Sequence, residues 1–364
     1  MTHSQRRDNL RARLAAEGLD AMLVTDLVNV CYLSGFTGSN AALLVFADER
    51  NPVLATDGRY RTQAGQQAPD LDLAIDRACG RYLAGQAAAG GVRRLGFESH
   101  VVTVDGFDAL SEAAGATELV RASGTVEALR EVKDPGEVAL LRRACEAADA
   151  ALTDLVAHGG LRPGRTERDV TRELESLMFD HGADGVSFET IVAAGANSAI
   201  PHHRPTDAEL APGDFVKIDF GALVGGYHSD MTRTFVLERA ADWQRELYQL
   251  VAAAQRAGRE ALRPGACLRD VDGAARRVID DAGYGEHFSH GLGHGVGLQI
   301  HEAPGISAAA AGTLRAGSVV TVEPGVYLPG RGGVRIEDTL VVADETSGHA
   351  PELLTQFPKE LTIV

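Results

Sequence analysis

The chain has little of what would direct a protein to a membrane, to the cell exterior or to a nucleic acid. No uncharged apolar run approaches the ~18 residues of a membrane span, and the N-terminal segment carries charges where a signal peptide needs an apolar core. Basic residues are in the minority, with 35 Lys and Arg against 51 Asp and Glu, and the net charge of −16 repels phosphate backbones and anionic lipid. We therefore expect a cytoplasmic protein that binds neither nucleic acid nor membranes.

Cysteine is also scarce. The four cysteines stand singly in apolar surroundings and form no CxxC pair: Cys31, Cys79, Cys145 and Cys267. This spacing argues against a zinc-thiolate site and against a disulfide framework. We expect all four to be ordinary core residues.

The length predicts two domains, because 364 residues exceed one ordinary hydrophobic core. In the first part, β-rich runs such as 21–24, 41–46 and 94–97 alternate with helical stretches, which indicates an α/β domain. A new helix is predicted after this part, because Asp134 can cap it and Glu137 can complete a capping box. The predicted domains are residues 1–130 and 131–364.

The second domain repeats itself weakly. The sequence LRPG occurs at 161–164 and again at 262–265, each time before a predicted helix. Likewise, a Leu-containing segment ending in glycine opens an apolar run at 210–213 and at 314–317. Such a duplication predicts one two-lobed α+β domain with helices outside a central sheet.

Acidic residues end the apolar runs of the first half of the repeat. Asp219 closes the run that begins at Phe215, and Asp230 follows a Gly-Gly-Tyr turn just before a second β-rich run at 232–237. We read this pattern as a β-hairpin with a carboxylate on each arm.

The second half mirrors this arrangement. Glu323 ends the apolar run 318–322, and Glu337 lies in a predicted strand at 334–338. Between the halves, His294 stands in the glycine-rich stretch HGLGHGVG at 290–297, which does not match the dinucleotide pattern GxGxxG. The inferred site is thus four carboxylates and one imidazole.

Four carboxylates in one pocket cannot all stay ionised without cations, so two divalent ions are predicted between them. Oxygen ligands with one nitrogen and no sulfur favour Mn²⁺, with Co²⁺ or Zn²⁺ as alternatives. A water held by two such ions has a lowered pKa, which makes it a nucleophile for hydrolysis.

The motifs at these residues carry a resemblance to a known family. IDFGA, SDMTRT, GHGVGLQIHE, VEPGVY and RIED occur in the order and spacing of the Xaa-Pro peptidases of the "pita-bread" metallopeptidase family, M24. This family includes prolidase and aminopeptidase P. The resemblance covers essentially the whole chain and implies an N-terminal creatinase-like α/β domain, a pita-bread catalytic domain and a homodimer.

The resemblance also implies a role for each ligand. Asp230 and Glu337 would bridge two metal ions, Asp219 would bind one ion, and His294 and Glu323 would bind the other. Glu323 would act in addition as a general base.

Further residues receive implied roles beside the metal ions. His301 resembles the histidine that stabilises the oxyanion, and His202 resembles a histidine on the substrate side. His290 would line the pocket for proline, and Arg335 would hold the far end of the substrate or steady the site. Two tyrosines are expected behind the ligands: Tyr227 and Tyr327.

The predicted activity is hydrolysis of the bond before proline, with a dipeptidase preferred over an aminopeptidase that acts on longer peptides. Two other readings remain. A catalytically inactive binding module is disfavoured by the complete ligand set, and a methionine aminopeptidase is disfavoured by the additional N-terminal domain.

Overall fold

The computed structural model describes residues 1–344 and 350–364. The chain divides into two compact units, Met1–Arg130 and Glu131–Val364. Within the described parts of the chain, no helix is both long enough and apolar enough to cross a membrane.

The first unit is an α/β domain, as predicted. Its helices are α1 (His3–Ala16), α2 (Leu27–Ser34), α3 (Arg61–Gln67), α4 (Cys79–Ala89), α5 (Val104–Ala114) and α6 (Glu127–Arg130). Its strands are β1 (Ala21–Val24), β2 (Ala41–Phe46), β3 (Val53–Thr56), β4 (Asp72–Ile75), β5 (Arg94–Phe97) and β6 (Glu118–Arg121). They form one mixed sheet in the order β4-β3-β2-β1-β5-β6. A core that includes Leu23, Leu44, Leu83 and Leu95 joins this sheet to α4.

Helix α2 is one of two helices of this unit that were not predicted, the other being the four-residue α6. The Asp26 carboxylate caps the first turn of α2 by accepting hydrogen bonds from the Val28 and Asn29 amides, and Gly35 ends this helix in the left-handed conformation at φ 78°. Both signals are present in the sequence, but the helix is only eight residues long and gives little periodicity.

The second unit contains four helices and thirteen strands among the described residues. The helices are α7 (Pro135–Ala157), α8 (Glu167–Asp180), α9 (Asp242–Ala261) and α10 (Leu268–Asp281). The strands are β7 (Gly185–Val186), β8 (Ile191–Ala194), β9 (Phe215–Phe220), β10 (Ala222–Val224), β11 (Tyr227–His228), β12 (Met231–Val236), β13 (Gly293–Gly295), β14 (Glu302–Ile306), β15 (Val319–Val322), β16 (Gly325–Leu328), β17 (Gly332–Arg335), β18 (Asp338–Val341) and β19 (Glu352–Leu353).

The start of α7 follows the predicted capping chemistry. The Asp134 side chain accepts from the Gly136 and Glu137 amides at 2.8 and 3.1 Å, and the Glu137 carboxylate accepts from the Asp134 amide at 2.9 Å. Pro135 occupies the first turn, where its missing N–H costs nothing.

The weak sequence repeat corresponds to a repeated structure. In the first half, the Gly164 amide donates to Leu210 O at 2.9 Å and the Leu210 amide donates to Arg165 O at 2.8 Å. The second half makes the same pair of bonds between 265–266 and Leu314, both at 2.8 Å. In each half, therefore, the turn before a helix pairs with the turn that opens a central strand.

The two halves also share their strand arrangement. β9 pairs antiparallel with β12, with Asp219 opposite Thr232, and a small hairpin of β10 and β11 lies between them along the chain. β15 pairs in the same way with β18, with Val322 opposite Asp338, and β16 and β17 form the intervening hairpin. The prediction of one strand through 334–338 was wrong, because β17 ends at Arg335 and β18 begins at Asp338.

Each half packs a pair of helices on its strands. One core joins α7 and α8 to β8, β9 and β12 through residues such as Leu152, Leu174 and Ile218. The other joins α9 and α10 to β15 and its neighbours through residues such as Val251 and Val322. The predicted two-lobed α+β domain is confirmed.

The four cysteines are free thiols, as expected from their spacing. Cys79 and Cys145 are buried, whereas Cys31 and Cys267 are only partly buried, so two of them are not full core residues. Burial raises the pKa of the Cys145 thiol well above its ordinary value, which keeps it protonated and unreactive.

Candidate metal centre and active site

Four strand ends bring four carboxylates to one cavity. Asp219 lies near the end of β9, Asp230 directly precedes β12, Glu323 directly follows β15, and Glu337 directly precedes β18. The cavity has a volume of about 410 Å³, and all four side chains line it. The pairing of β9 with β12 and of β15 with β18 explains why residues far apart in sequence meet here.

His294 completes the cluster from the middle of β13. Its Nε2 atom lies 3.5 Å from Asp230 Oδ2 and 3.5 Å from Glu323 Oε1. Its Nδ1 atom lies 3.1 Å from Gly295 O, a contact that places the proton on Nδ1 and leaves the Nε2 lone pair facing the carboxylates. Burial lowers the pKa of His294 to about 4, so the ring is neutral near pH 7, as a metal ligand must be.

The glycines on either side of His294 are required by close backbone packing. A Cβ atom on Gly293 would overlap Thr321 O, and one on Gly295 would overlap Ala303 O. The glycine-rich stretch thus lets β13 lie between its neighbours while His294 reaches the cavity.

The cluster carries more negative charge than its surroundings can balance. Burial raises the pKa of Asp230 well above its usual range, and the negative charge of Glu337 raises it further. Burial likewise raises the pKa of Glu337 well above its usual range and that of Glu323 to about 8. The Arg335 guanidinium opposes these shifts, but one cation cannot balance four carboxylates.

The donor atoms fit divalent metal ions. One ligand atom each from Asp230, His294 and Glu337 lie within 4.8 Å of one another. Asp219 Oδ1 is buried and has no hydrogen-bond partner among the described residues, while Asp219 Oδ2 accepts from Arg335. A divalent cation would satisfy such an unpartnered, buried carboxylate oxygen beside further carboxylates.

Thr232 supports the cluster from behind and was missed in the sequence. Its hydroxyl donates to Glu337 Oε2 at 2.7 Å and accepts from Arg335 Nε at 3.0 Å. Thr232 stands two residues after Asp230, so strand alternation places both side chains on the same face. That spacing was a usable signal, but the partner of Thr232 lies 105 residues away.

Arg335 and His290 line the cavity, and the Tyr327 hydroxyl joins the two by hydrogen bonds. Arg335 Nη1 donates to Tyr327 Oη at 2.8 Å, and His290 Nε2 lies 2.8 Å from the same oxygen. Arg335 is 1% exposed, and its other donors contact Asp219, Thr232 and Pro201 O. Burial lowers the pKa of His290 to about 4.

The two remaining predicted histidines, His202 and His301, line the open side of the cavity and are exposed. The His301 ring packs edge-on against His294, with ring centroids 4.4 Å apart. His202 follows the 3₁₀ turn Gly195–Ala199, and partial desolvation of its ring, together with the positive charge of Arg335, lowers its pKa.

Tyr227 lies apart from the other predicted site residues. It is not among the described residues that line the cavity, and its hydroxyl donates to Glu137 Oε1 on α7 at 2.8 Å. The structure thus places Tyr327, and not Tyr227, beside the ligand cluster.

A two-lobed α+β fold with carboxylates and an imidazole gathered at paired strand ends defines a metal-dependent hydrolase. The chain belongs to metallopeptidase family M24, which its residues 139–344 match, and residues 6–132 match the Creatinase/Prolidase N-terminal domain. The predicted family is thereby confirmed, and with it a requirement for divalent metal ions.

Three relatives illustrate the similarity. The chain is 34% identical over 344 residues to a Xaa-Pro dipeptidase of Pyrococcus horikoshii, covering 94% of each chain. Its fold matches a Xaa-Pro dipeptidase from Bacillus anthracis with a TM-score of 0.93 and 38% identity over the full length of both chains. It also matches an X-Pro aminopeptidase from Thermotoga maritima with a TM-score of 0.89 and 34% identity, covering 98% of this chain and 99% of the other.

Proposed function

We propose that this chain is a metal-dependent peptidase that hydrolyses the peptide bond before proline in Xaa-Pro dipeptides. The observation that carries this proposal is the convergence of Asp219, Asp230, His294, Glu323 and Glu337 on one cavity. The dipeptidases among its relatives supply the substrate class.

These five side chains would hold two divalent ions, with Asp230 and Glu337 shared between them. When bound, such ions supply Lewis acidity toward the scissile carbonyl and lower the pKa of a water. The repeated strand arrangement supports this proposal, because each lobe contributes one carboxylate that directly precedes a strand, Asp230 before β12 and Glu337 before β18.

Glu323 is the group that moves the proton. Its side chain is 17% exposed at the cavity, and its two oxygens lie 3.5 Å from His294 Nε2 and 4.0 Å from Arg335 Nε. The nitrogen of an Xaa-Pro bond carries no hydrogen and must gain a proton to leave as the proline amine. Glu323 takes this proton from the attacking water and passes it to the prolyl nitrogen.

His301 and His202 act on the substrate itself. Both line the cavity from its open side, where a bound peptide would lie. A ring N–H of His301 donates to the carbonyl oxygen as negative charge develops on it, and His202 contacts the substrate beside the reacting bond.

His290 would line the pocket for the proline ring, held in place by Tyr327. Arg335 is assigned the steadying role, because its donors are directed at Asp219, Thr232, Tyr327 and Pro201 O. As a buried cation it also keeps the carboxylate cluster from excess negative charge.

A substrate panel tests the proposed activity. The metal-loaded protein is expected to hydrolyse Ala-Pro with a kcat/KM at least about tenfold above that for Ala-Pro-Ala and for Ala-Ala, because a pocket shaped for a terminal proline loses contacts with either alternative. Product formation by liquid chromatography gives the three values.

Two outcomes would change the conclusion. A preference for Ala-Pro-Ala would favour the alternative function, an Xaa-Pro aminopeptidase, which the aminopeptidase among the relatives supports. No hydrolysis of any proline peptide would favour an inactive binding module.

Finer parts of the proposal are that residues 1–130 and 131–364 are the two domains, that the metal is manganese, and that the protein is a cytoplasmic homodimer. The compact units support the first, and the oxygen-rich ligand set supports the second. A solution mass near 38.4 kDa by light scattering would contradict the dimer.

A further inference from the structure

His202 lies in segment 195–206, which is part of the connection between β8 and β9, and this segment is held by two buried ionisable side chains. These are Glu167 at the start of α8 and Lys217 in the middle of β9. Both are 0% exposed, and neither lines the cavity. Charged side chains are seldom fully buried, so each calls for an explanation.

Glu167 collects hydrogen-bond donors from the segment and its flanks. Its Oε1 atom accepts from the Ala194 amide and from Asn197 Nδ2, both at 2.9 Å. Its Oε2 atom accepts from the Thr206 amide at 2.8 Å and the Thr206 hydroxyl at 2.7 Å, and lies 2.8 Å from His203 Nε2. The carboxylate therefore fixes both ends of the segment and the residue directly after His202.

Lys217 donates hydrogen bonds to the two backbone carbonyls that directly precede His202. Its Nζ atom donates to Ile200 O at 2.6 Å and to Pro201 O at 3.2 Å. No carboxylate of the described residues lies within ion-pair distance of it. These bonds require two N–H donors, which the amine supplies in either protonation state.

Burying the Lys217 amine in β9 costs free energy, which its hydrogen bonds to the two carbonyls offset. β9 is buried along its whole length, and an apolar side chain would satisfy that environment at no cost. Lys217 also lies against the Tyr327 ring, 5.1 Å from its centroid, and shares the Pro201 carbonyl with Arg335. The segment is thus tied to the wall that supports the ligand cluster.

We propose that Lys217 and Glu167 are positioning residues, which together fix the backbone on both sides of His202 and thereby hold that imidazole over the cavity. The proposal rests on the proposed function, because His202 is assigned there to contact the substrate. One part of the proposal concerns only how firmly the backbone of residues 195–206 is held, and this part can be measured without a substrate.

A double-mutant cycle tests the link to His202. Lys217→Met keeps the length of the side chain and removes both donors, and we expect it to lower kcat/KM for Ala-Pro about 10- to 100-fold with metal content unchanged. In a His202→Ala background the same change should lower kcat/KM less than about twofold, because the group that it positions is absent. A loss of equal size in both backgrounds would overturn the proposal.

Hydrogen exchange followed by mass spectrometry supplies a readout that does not depend on activity. Lys217→Met should speed amide exchange within 195–206 at least about tenfold and leave exchange in α9 and α10 unchanged. Tyr248→Phe is the matched control, because it also removes a buried side-chain bond to a carbonyl, Lys359 O at 2.8 Å, outside the cavity. Exchange in 195–206 that is unchanged by Lys217→Met, or raised equally by Tyr248→Phe, would overturn the proposal.

Asn197→Ala provides a milder second variant if Lys217→Met does not fold. It removes one of the donors to Glu167, from the part of the segment that precedes His202, and we expect a smaller loss of kcat/KM that again disappears in the His202→Ala background. Additive losses would overturn the proposal. If the wild-type protein hydrolyses no proline peptide, the proposed function fails, while the exchange experiment still decides whether the segment is held as described.

Discussion

Asp230→Asn is expected to lower kcat/KM for Ala-Pro more than about 100-fold and to remove bound metal. Residues behind a metal ligand typically cost 10- to 100-fold when changed, so loss of a ligand shared by two ions should cost more. The amide retains the shape of the side chain, so the effect isolates the loss of negative charge. Steady-state kinetics and metal analysis of the purified variant measure the two effects.

Asp230→Asn should nevertheless raise the stability of the metal-free protein. In the absence of a cation, Asp230 is buried beside Glu337, Asp219 and Glu323, and its ionised form is destabilised. The neutral amide removes this repulsion, so the urea midpoint of chelated Asp230→Asn should exceed that of the chelated wild type.

Asp338→Asn is the matched control, and we expect it to lower the urea midpoint of the chelated protein. Asp338 is equally buried, but it pairs with Arg233 at 2.8 Å and with Lys359 at 2.9 Å. Neutralising it leaves two cations without their partner, which costs about 3–5 kcal/mol in buried pairs. If both variants destabilise the chelated protein alike, the carboxylate cluster is not the strained, cation-requiring site described here.

The second large effect is a pH dependence of stability that changes sign when metal is bound. Chelated protein should become more stable as pH falls from 8 to 6.5. The pKa of Glu323 is raised to about 8, and those of Asp230 and Glu337 are raised well above their usual range. The folded protein therefore takes up protons that the unfolded chain does not bind in this window.

The histidines of the site oppose this effect only in part. The pKa values of His290 and His294 are lowered to about 4 from an ordinary value of 6.5, so each ring stays neutral in the folded protein but gains about half a proton in the unfolded chain by pH 6.5, which lowers stability by roughly 0.4 kcal/mol per ring. One proton taken up on folding adds about 1.4 kcal/mol per pH unit, so Glu323 alone predicts a gain of about 1–2 kcal/mol.

Metal-loaded protein should show the reverse trend, because protons compete with the cations for the carboxylates and weaken binding as pH falls. Urea unfolding at pH 8.0 and 6.5, with and without chelator, measures both trends. Glu323→Gln should reduce the pH dependence of the chelated protein. Parallel trends in the two forms would contradict a cation-binding role for this cluster.

Local signals in the sequence predicted much of the fold. Asp134 and Glu137 predicted the start of α7 because capping depends on residues within one turn. The acidic strand ends predicted the candidate site because a carboxylate that closes an apolar run has few stable alternatives to pairing or metal binding.

The contacts that hold the ligand side chains in place could not be predicted from local sequence patterns. Arg335 meets Asp219 across 116 residues, and Glu337 meets Thr232 across 105. Lys217 reads in the sequence as one charge within a β-rich run, and only folding shows that it faces Ile200 O and Pro201 O. Such contacts depend on how the two halves meet, which no local pattern encodes.

The central claim is that five side chains far apart in sequence form a cage for divalent cations on which hydrolysis depends. Equilibrium dialysis of the chelated wild-type protein against Mn²⁺, with the bound metal counted per chain, tests it most directly. We expect close to two ions per chain, and fewer than one for Asp230→Asn. A wild-type protein that binds no metal under these conditions would contradict the account.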